Sequence, residues 1–451
     1  MRRLSNAYLS IAATAAVLAL SGCGVAPAPI EKPPVAQAQG EIHGGQQPIA
    51  GATIQLYAVG TSGYGSAATP LFSPALITSA SGSFTFPANY CPADPSALVY
   101  LVGSGGQPAG AGTGITNNNE ALMVVLGPCN SLNASTHIRI NELTTVAAAW
   151  ALAPFMSGTT NAYLNIGSSS TNAKGLQLAF EAAAEVVNTS TGAVGGTTLP
   201  AGATLPTQEI NTLADILGQC VNSAGGTSDA TSCGMLFTLA KNTSNTVAPT
   251  DTITAAFNIA QNPARFVGSL FFLVPPVPVF EPVLSSAPND WTVAIQYTGG
   301  GLNAPTAIAA DQAGNIWVAN SGGSSVSEFN NLGSTLLGAT GTSTGGAPTG
   351  LAVDLNGNAW VTIGSGNSVL EVHANGSADA PITGNGLNQP TALAIDGSGM
   401  LWVANGAGNS VSLFDNTGTA VSGSPFTGGG IASPKGIAIN SNANANCSDC
   451  H

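Results

Sequence analysis

The sequence predicts a multidomain α and β chain: a small β-sandwich, then an α-helical bundle, then a partial, three-and-a-half-blade β-propeller. Three observations carry that prediction. Apolar and polar residues alternate before residue 130, apolar stripes of helical period run between residues 131 and 275, and a strand-rich unit recurs every 42 to 43 residues after residue 289. At 451 residues the chain is long enough for two to four domains, each with its own core.

The N-terminus comes first. Met1-Arg2-Arg3 is a basic start, residues 7–20 are almost wholly apolar, and Leu20-Ser21-Gly22-Cys23 closes the run. A short apolar stretch between a basic start and small residues is an export signal, here residues 1–22, and is too short to span a bilayer comfortably. Leu20-Ser21-Gly22-Cys23 resembles the bacterial lipobox. That resemblance implies that the Cys23 thiol is acylated and becomes the new N-terminus. The expected location is therefore the bacterial cell envelope, with the membrane as a partner through the lipid. Gly24 in place of Asp implies passage to the outer membrane. Residues 23–39, with Pro27, Pro29, Pro33 and Pro34, read as a semi-extended spacer.

Charged residues make up only 6% of the chain, against about a quarter in ordinary globular proteins. Ser, Thr, Asn, Gln and Gly must therefore cover the surface. Without residues 1–22, six basic residues face 21 acidic ones, and Coulomb repulsion excludes nucleic acid as a partner. Six cysteines besides Cys23 fall in local pairs: Cys91 with Cys129, Cys220 with Cys233, and Cys447 with Cys450. In an oxidising compartment such pairs read as disulfides.

Between residues 40 and 130, Ala52-Thr53-Ile54-Gln55-Leu56-Tyr57 and Ser83-Phe84-Thr85-Phe86 alternate as half-buried strands do, and residues 97–102 add an apolar β-rich run. Gly40-Glu41-Ile42 with Pro48-Ile49-Ala50-Gly51-Ala52, then Ser79-Ala80-Ser81-Gly82-Ser83-Phe84, is similar to the carboxypeptidase-regulatory-like, prealbumin-type sandwich. The resemblance implies a spacer or adhesion unit. Between residues 131 and 275 the period changes. Leu143, Val146, Ala147, Trp150 and Ala151 share one helical face, as do Leu176, Ala179, Phe180, Ala183 and Val187, and Ile210, Leu213, Ala214, Leu217 and Val221. Pro206 starts the last of these helices. Pro275, Pro276 and Pro278 end the helical region, and residues 276–288 read as a linker.

Residues 289–440 hold the repeat. Pro305-Thr306-Ala307-Ile308-Ala309-Ala310-Asp311 runs to Gly314 and Trp317; Pro348-Thr349-Gly350-Leu351-Ala352-Val353-Asp354 runs to Gly357 and Trp360; Pro390-Thr391-Ala392-Leu393-Ala394-Ile395-Asp396 runs to Gly399 and Trp402. Each copy is an apolar strand, an Asp-x-x-Gly turn and a second strand whose Trp is expected to pack between blades. The pattern resembles NHL and streptogramin-lyase-like propeller repeats, and that likeness specifies architecture more than chemistry. A fourth copy begins at Pro434 and gives way to Ser441-Asn442-Ala443-Asn444, so the expectation is a chain truncated within a repeat, with an open arc completed by a partner or a second copy as the alternative.

No catalytic residues and no metal site are expected. Streptogramin lyase depends on propeller histidines, whereas the repeats here carry only His373, read as a surface loop residue. His43 and His137 stand apart. Gly341-Thr342-Ser343-Thr344-Gly345 has nucleophile-elbow spacing without the strand-to-helix setting. Asp311, Asp354 and Asp396 suit hairpin turns better than calcium. Cys447-Ser448-Asp449-Cys450-His451, in a tail over residues 441–451, has the c-type haem attachment form, with no helix or distal ligand after it. The leading expectation is an interaction or scaffold lipoprotein that binds a protein or carbohydrate and needs no cofactor. A haem c redox protein and a lyase-type propeller enzyme are the alternatives.

Overall fold

The computed structural model describes residues 37–242 and 246–439. Cys23, the spacer before residue 37, and Cys447, Cys450 and His451 lie outside the described residues.

Two sheets form the sandwich. One orders His137–Ile140, Gln39–Gly44, Gln47–Ala50 and Gln107–Pro108, with Ser83–Thr85 also on Gln39–Gly44. The other orders Thr69–Pro70, Thr53–Ala58, Leu98–Ser104 and Ala121–Pro128. Ile42, Ile54, Leu56, Leu101, Leu122 and Val124 fill the space between them. Cys91 is bonded to Cys129 at the edge of this core.

Among the described residues six α-helices follow: α1 Glu142–Leu152, α2 Ala173–Val186, α3 Thr207–Val221, α4 Ser232–Leu239, α5 Thr252–Gln261 and α6 Val267–Phe271. Three starts are fixed by side chains that satisfy free backbone N–H groups, Thr231 doing so on α4 through Gly234 N. Asn141 and Thr144 form a capping box on α1, and Asp251 accepts from Thr254 N on α5. Cys220 at the end of α3 is bonded to Cys233 at the start of α4.

The helices are not the separate bundle expected for residues 131–275. Tyr100, Val102, Ala121, Met123 and Val125 on the outer face of the second sheet share one core with Leu143, Phe180, Leu213 and Phe257 of the helices. Strands Leu98–Ser104 and Ala121–Pro128 are thus buried on both faces, which is why they read as unbroken apolar runs. The domain boundary at residue 130 also moves, because His137–Ile140 pairs in parallel with Gln39–Gly44. Sandwich and helices form one three-layer unit.

Residues 276–288, expected as a linker, are a strap docked on α3. Asp215 Oδ1 accepts from Val279 N at 2.9 Å and Phe280 N at 3.2 Å, Thr212 Oγ1 accepts from Leu284 N, and Asn211 donates to Pro282 O. Beyond it, Trp291 is fully buried and its carbonyl accepts from Trp150 Nε1 at 2.7 Å. Prolines that cannot join a helix still present carbonyls and apolar rings, and α3 supplies matching partners.

Three antiparallel blades complete the described fold. Their first strands are Pro305–Ala310, Pro348–Val353 and Pro390–Ile395, and their second strands Ile316–Asn320, Ala359–Ile363 and Leu401–Asn405. The third strands are Ser325–Phe329, Ser368–Val372 and Ser410–Phe414. Thr342–Ser343 and Ile382–Thr383 are fourth strands, and in the third blade a single bridge from Val411 to Phe426 takes that place. Residues 434–439, the described start of the fourth copy, form no strand.

Neighbouring blades interlock. Trp317 packs with Leu351, Ala359 and Val361 of the second blade, and Trp360 with Leu393, Leu401 and Val403 of the third. Thr306 Oγ1 donates to Pro348 O at 3.1 Å, Thr349 Oγ1 to Pro390 O at 2.7 Å, and Thr391 Oγ1 to Pro434 O at 2.7 Å. Trp402 is only half-buried and stacks on Phe426.

Thr349→Val keeps the shape and removes the donor, stranding a carbonyl between blades. The expected loss is about 1–2 kcal/mol, read as a lower urea midpoint at unchanged slope. Ser365→Ala, at an exposed hairpin, is expected to stay within about 0.5 kcal/mol.

Candidate functional site

Antiparallel order puts the turns between strands one and two, and between three and four, on one face of the arc. Hairpins between strands two and three, with the connections into each next blade, lie on the other.

The turn face is acidic. In the first kind of turn, Asp311 Oδ1 accepts from Asn315 N, Asp354 Oδ1 from Asn356 N and Asn358 N, and Asp396 Oδ1 from Ser398 N and Met400 N. Gly314, Gly357 and Gly399 close these turns at φ 89°, 82° and 79°, where a side chain would be strained. Trp360 and Trp402 donate through Nε1 to the Oδ2 of Asp354 and Asp396, whereas Trp317 Nε1 has no partner. All seven acidic side chains between residues 305 and 439 belong to this face or to the strand ends beside it. Helix α2 covers its first-blade part: Asn331 donates to Glu181, and Gly314 lies so close that a Cβ there would sit 3.3 Å from Leu178 Cδ1 and 3.7 Å from Lys174 Cε.

On the second blade's part of this face, Glu371, His373 and Asp379 converge. His373 Nδ1 is 3.7 Å from Glu371 Oε1, and its Nε2 is 3.2 Å from Asp379 Oδ1. Burial first, then the neighbouring Asp379 and Asp354, push the Glu371 carboxyl up, against the pull of His373 and a hydrogen bond from Asn358. The structure thus gives His373, read as a plain loop residue, two carboxylate neighbours. The signal lay in aligning the three repeats at this turn.

The opposite face has no charged side chain in its loops. Ser321-Gly322-Gly323-Ser324, Gly364-Ser365-Gly366-Asn367 and Gly406-Ala407-Gly408-Asn409 are its hairpins, and residues 299–304, 345–347, 384–389 and 428–433 its connections. Here the backbone is strained at repeated places. Ser324, Asn367 and Asn409 have φ 47°, 49° and 47°, and Ala304, Gln389 and Ser433, each just before a repeated proline, have φ 46°, 46° and 43°. Asn367 Oδ1 accepts from Gln389 N at 2.7 Å and Asn409 Oδ1 from Ser433 N at 2.8 Å, holding hairpin to connection. Ser365, Asn367, Asn388, Gln389, Ala407 and Asn409 are exposed.

Ser343 of the Gly341–Gly345 spacing lies on the short fourth strand of the first blade, not at a strand-to-helix turn. Polar clefts of about 400 and 520 Å³ open in the N-terminal unit, one beside Asn119, Tyr163 and Asp251, the other beside Arg139, Asn141 and Glu281. Neither contains a site residue expected from the sequence. No helix among the described residues is long and apolar enough to cross a membrane.

Comparison with solved structures finds partial likenesses. A catalytically inactive virginiamycin B lyase from Staphylococcus aureus with quinupristin is similar at 16% identity and TM-score 0.27, over 31% of this chain and 47% of that one. A streptogramin B lyase matches at 20% identity and TM-score 0.26, over 31% and 47% of the two chains. A chain of a nidogen/laminin complex matches at 17% identity and TM-score 0.26, over 32% and 56%. The chain spans about half the length of the solved structures it matches. No family model and no curated protein matches it.

Buried acids outnumber their cationic partners, and this sets the pH response. The carboxyls of Glu142, Glu209 and Glu328 are pushed up to about 7 and that of Asp215 to about 6, each chiefly by loss of water on burial. A raised acid favours the protonated fold, so its contribution is complete below the ordinary carboxyl range and is lost as pH rises through the folded value. Scanning calorimetry is expected to show Tm falling as pH is raised from about 5 to about 8. A Tm that climbs over that interval contradicts these assignments.

Proposed function

We propose that this chain is an exported, lipid-anchored interaction protein without catalytic activity, and that the uncharged face of its blade arc binds an uncharged polar partner, protein or carbohydrate. The observation that carries this reading is the contrast between the two faces. Every acidic group of the repeats is held on one side, and the hairpins and connections of the other carry amide, hydroxyl, apolar and backbone groups with no charge, Lys435 lying just past the last of them. Such a face offers hydrogen bonds and no charge to desolvate, which suits a neutral surface. Its strained positions recur at equivalent places, and strain of this kind persists only where the surrounding structure holds it. The three-layer unit and its strap act as a stalk. Anchoring through Cys23 rests on the sequence of residues 1–23.

A screen against neutral glycans and envelope proteins tests the face. Ligands retained by the chain are expected to bind at least about tenfold more weakly to a variant carrying Asn367→Asp and Asn409→Asp, because a neutral partner would cover each exposed new charge without supplying a counter-charge. Binding equal to that of the parent chain contradicts the proposal. For the anchor, cells fed labelled palmitate are expected to label the protein, and Cys23→Ala to abolish both label and membrane retention. Retention without Cys23 refutes the lipid tether.

A further inference from the structure

We propose that Glu371, His373 and Asp379 bind one divalent transition-metal cation of the zinc(II) class on the acidic face of the second blade. The site lies on the face opposite the binding surface proposed above and does not depend on it.

The first argument is geometric. An imidazole nitrogen and one oxygen from each carboxylate lie within 4.8 Å of one another. Zinc ligands held at about 2.0–2.2 Å in a tetrahedron stand about 3.4 Å apart, so small side-chain rotations close the set. Imidazole with carboxylates suits zinc, copper or nickel, whereas calcium takes about six to eight oxygens and magnesium keeps several waters. His373 faces Glu371 through one ring nitrogen and Asp379 through the other. A cation held by all three takes one of these nitrogens together with both carboxylates, so the imidazole turns from its present two-sided contact and its other nitrogen is left to solvent.

The second argument comes from the other blades, which repeat the same turn without the cluster. Asn330, His373 and Asp415 occupy one slot: Asn330 N donates to Ser334 O, His373 N to Ser377 O and Asp415 N to Thr419 O. In the first blade Asn330 Oδ1 accepts from Leu332 N and Ser334 N, and in the third Asp415 Oδ1 accepts from Thr417 N and Thr419 N. His373 has no side-chain carbonyl or carboxylate to do this. In its place Asn375 accepts from Ser377 N. The slot of Asp379, whose N donates to Glu371 O, is filled by Leu336 and Val421 in the other blades. The turn therefore requires neither His373 nor Asp379, yet both stand beside Glu371 in one blade. Glu371 is the most shielded, with its side chain 13% exposed, while Asp379 at 59% leaves the site open to an arriving ion. The net charge of −13 favours cations throughout.

Zinc(II) titration by calorimetry tests this on the full chain carrying Cys447→Ser and Cys450→Ser, which removes competing tail thiols. One equivalent of zinc is expected to bind. His373→Asn restores the first-blade residue and its turn bonds, so it is expected to fold with unchanged or higher Tm in the absence of zinc and to bind zinc at least about tenfold more weakly. Asp379→Asn, at an exposed position, is expected to weaken zinc binding likewise. Failure to take up zinc, or uptake that neither substitution weakens, overturns the proposal.

Discussion

The threonine after each repeated proline reaches to the carbonyl of the next repeated proline, and the tryptophan of the adjoining strand fills the space between the same two blades. That double contact is what makes the repeats an arc. A four-stranded sheet in isolation would leave an indole and an apolar face in water, and each blade here buries them only against the next. Trp402 illustrates the constraint from the other side. With no blade strand described beyond it, it is half-buried and leans on Phe426 of its own blade.

The arc is joined to the N-terminal unit by similarly specific contacts. Gln296–Tyr297 pairs with Ala203–Thr204, Tyr297 donates to Glu185, and α2 covers the first turns of the first blade. Function as proposed follows from this docking. It occupies part of the acidic side and leaves the uncharged side open, so the stalk and the binding face do not compete for one surface.

What the sequence made legible was whatever repeats locally. Proline, aspartate, glycine and tryptophan at a fixed spacing disclose the blades, because each residue acts within its own hairpin or on the adjacent one. The three apolar helical stripes likewise correspond to α1, α2 and α3. The surface covering each stripe was hidden, since periodicity reports that a face is buried and not by what. Continuous apolar residues at Leu98–Ser104 were the available clue that helices lie on that sheet. The strap over residues 276–288 was hidden for a similar reason: Asp215 sits 64 residues before the backbone group it holds, on the polar-looking side of α3. Glu371, His373 and Asp379 converge only once a tight turn folds the third position back on the first two. No alternation or motif announces it, and comparison with Asn330 and Asp415 does.

Solvent access to the indoles is the most direct test of the interlock. In fluorine NMR of the fluorotryptophan-labelled protein with a soluble paramagnetic agent, the signals of Trp317 and Trp360 are predicted to stay sharp while that of Trp402 broadens. Equal broadening of all three would mean that the blades do not bury their tryptophans against one another, and the arc with its two opposed faces would not stand.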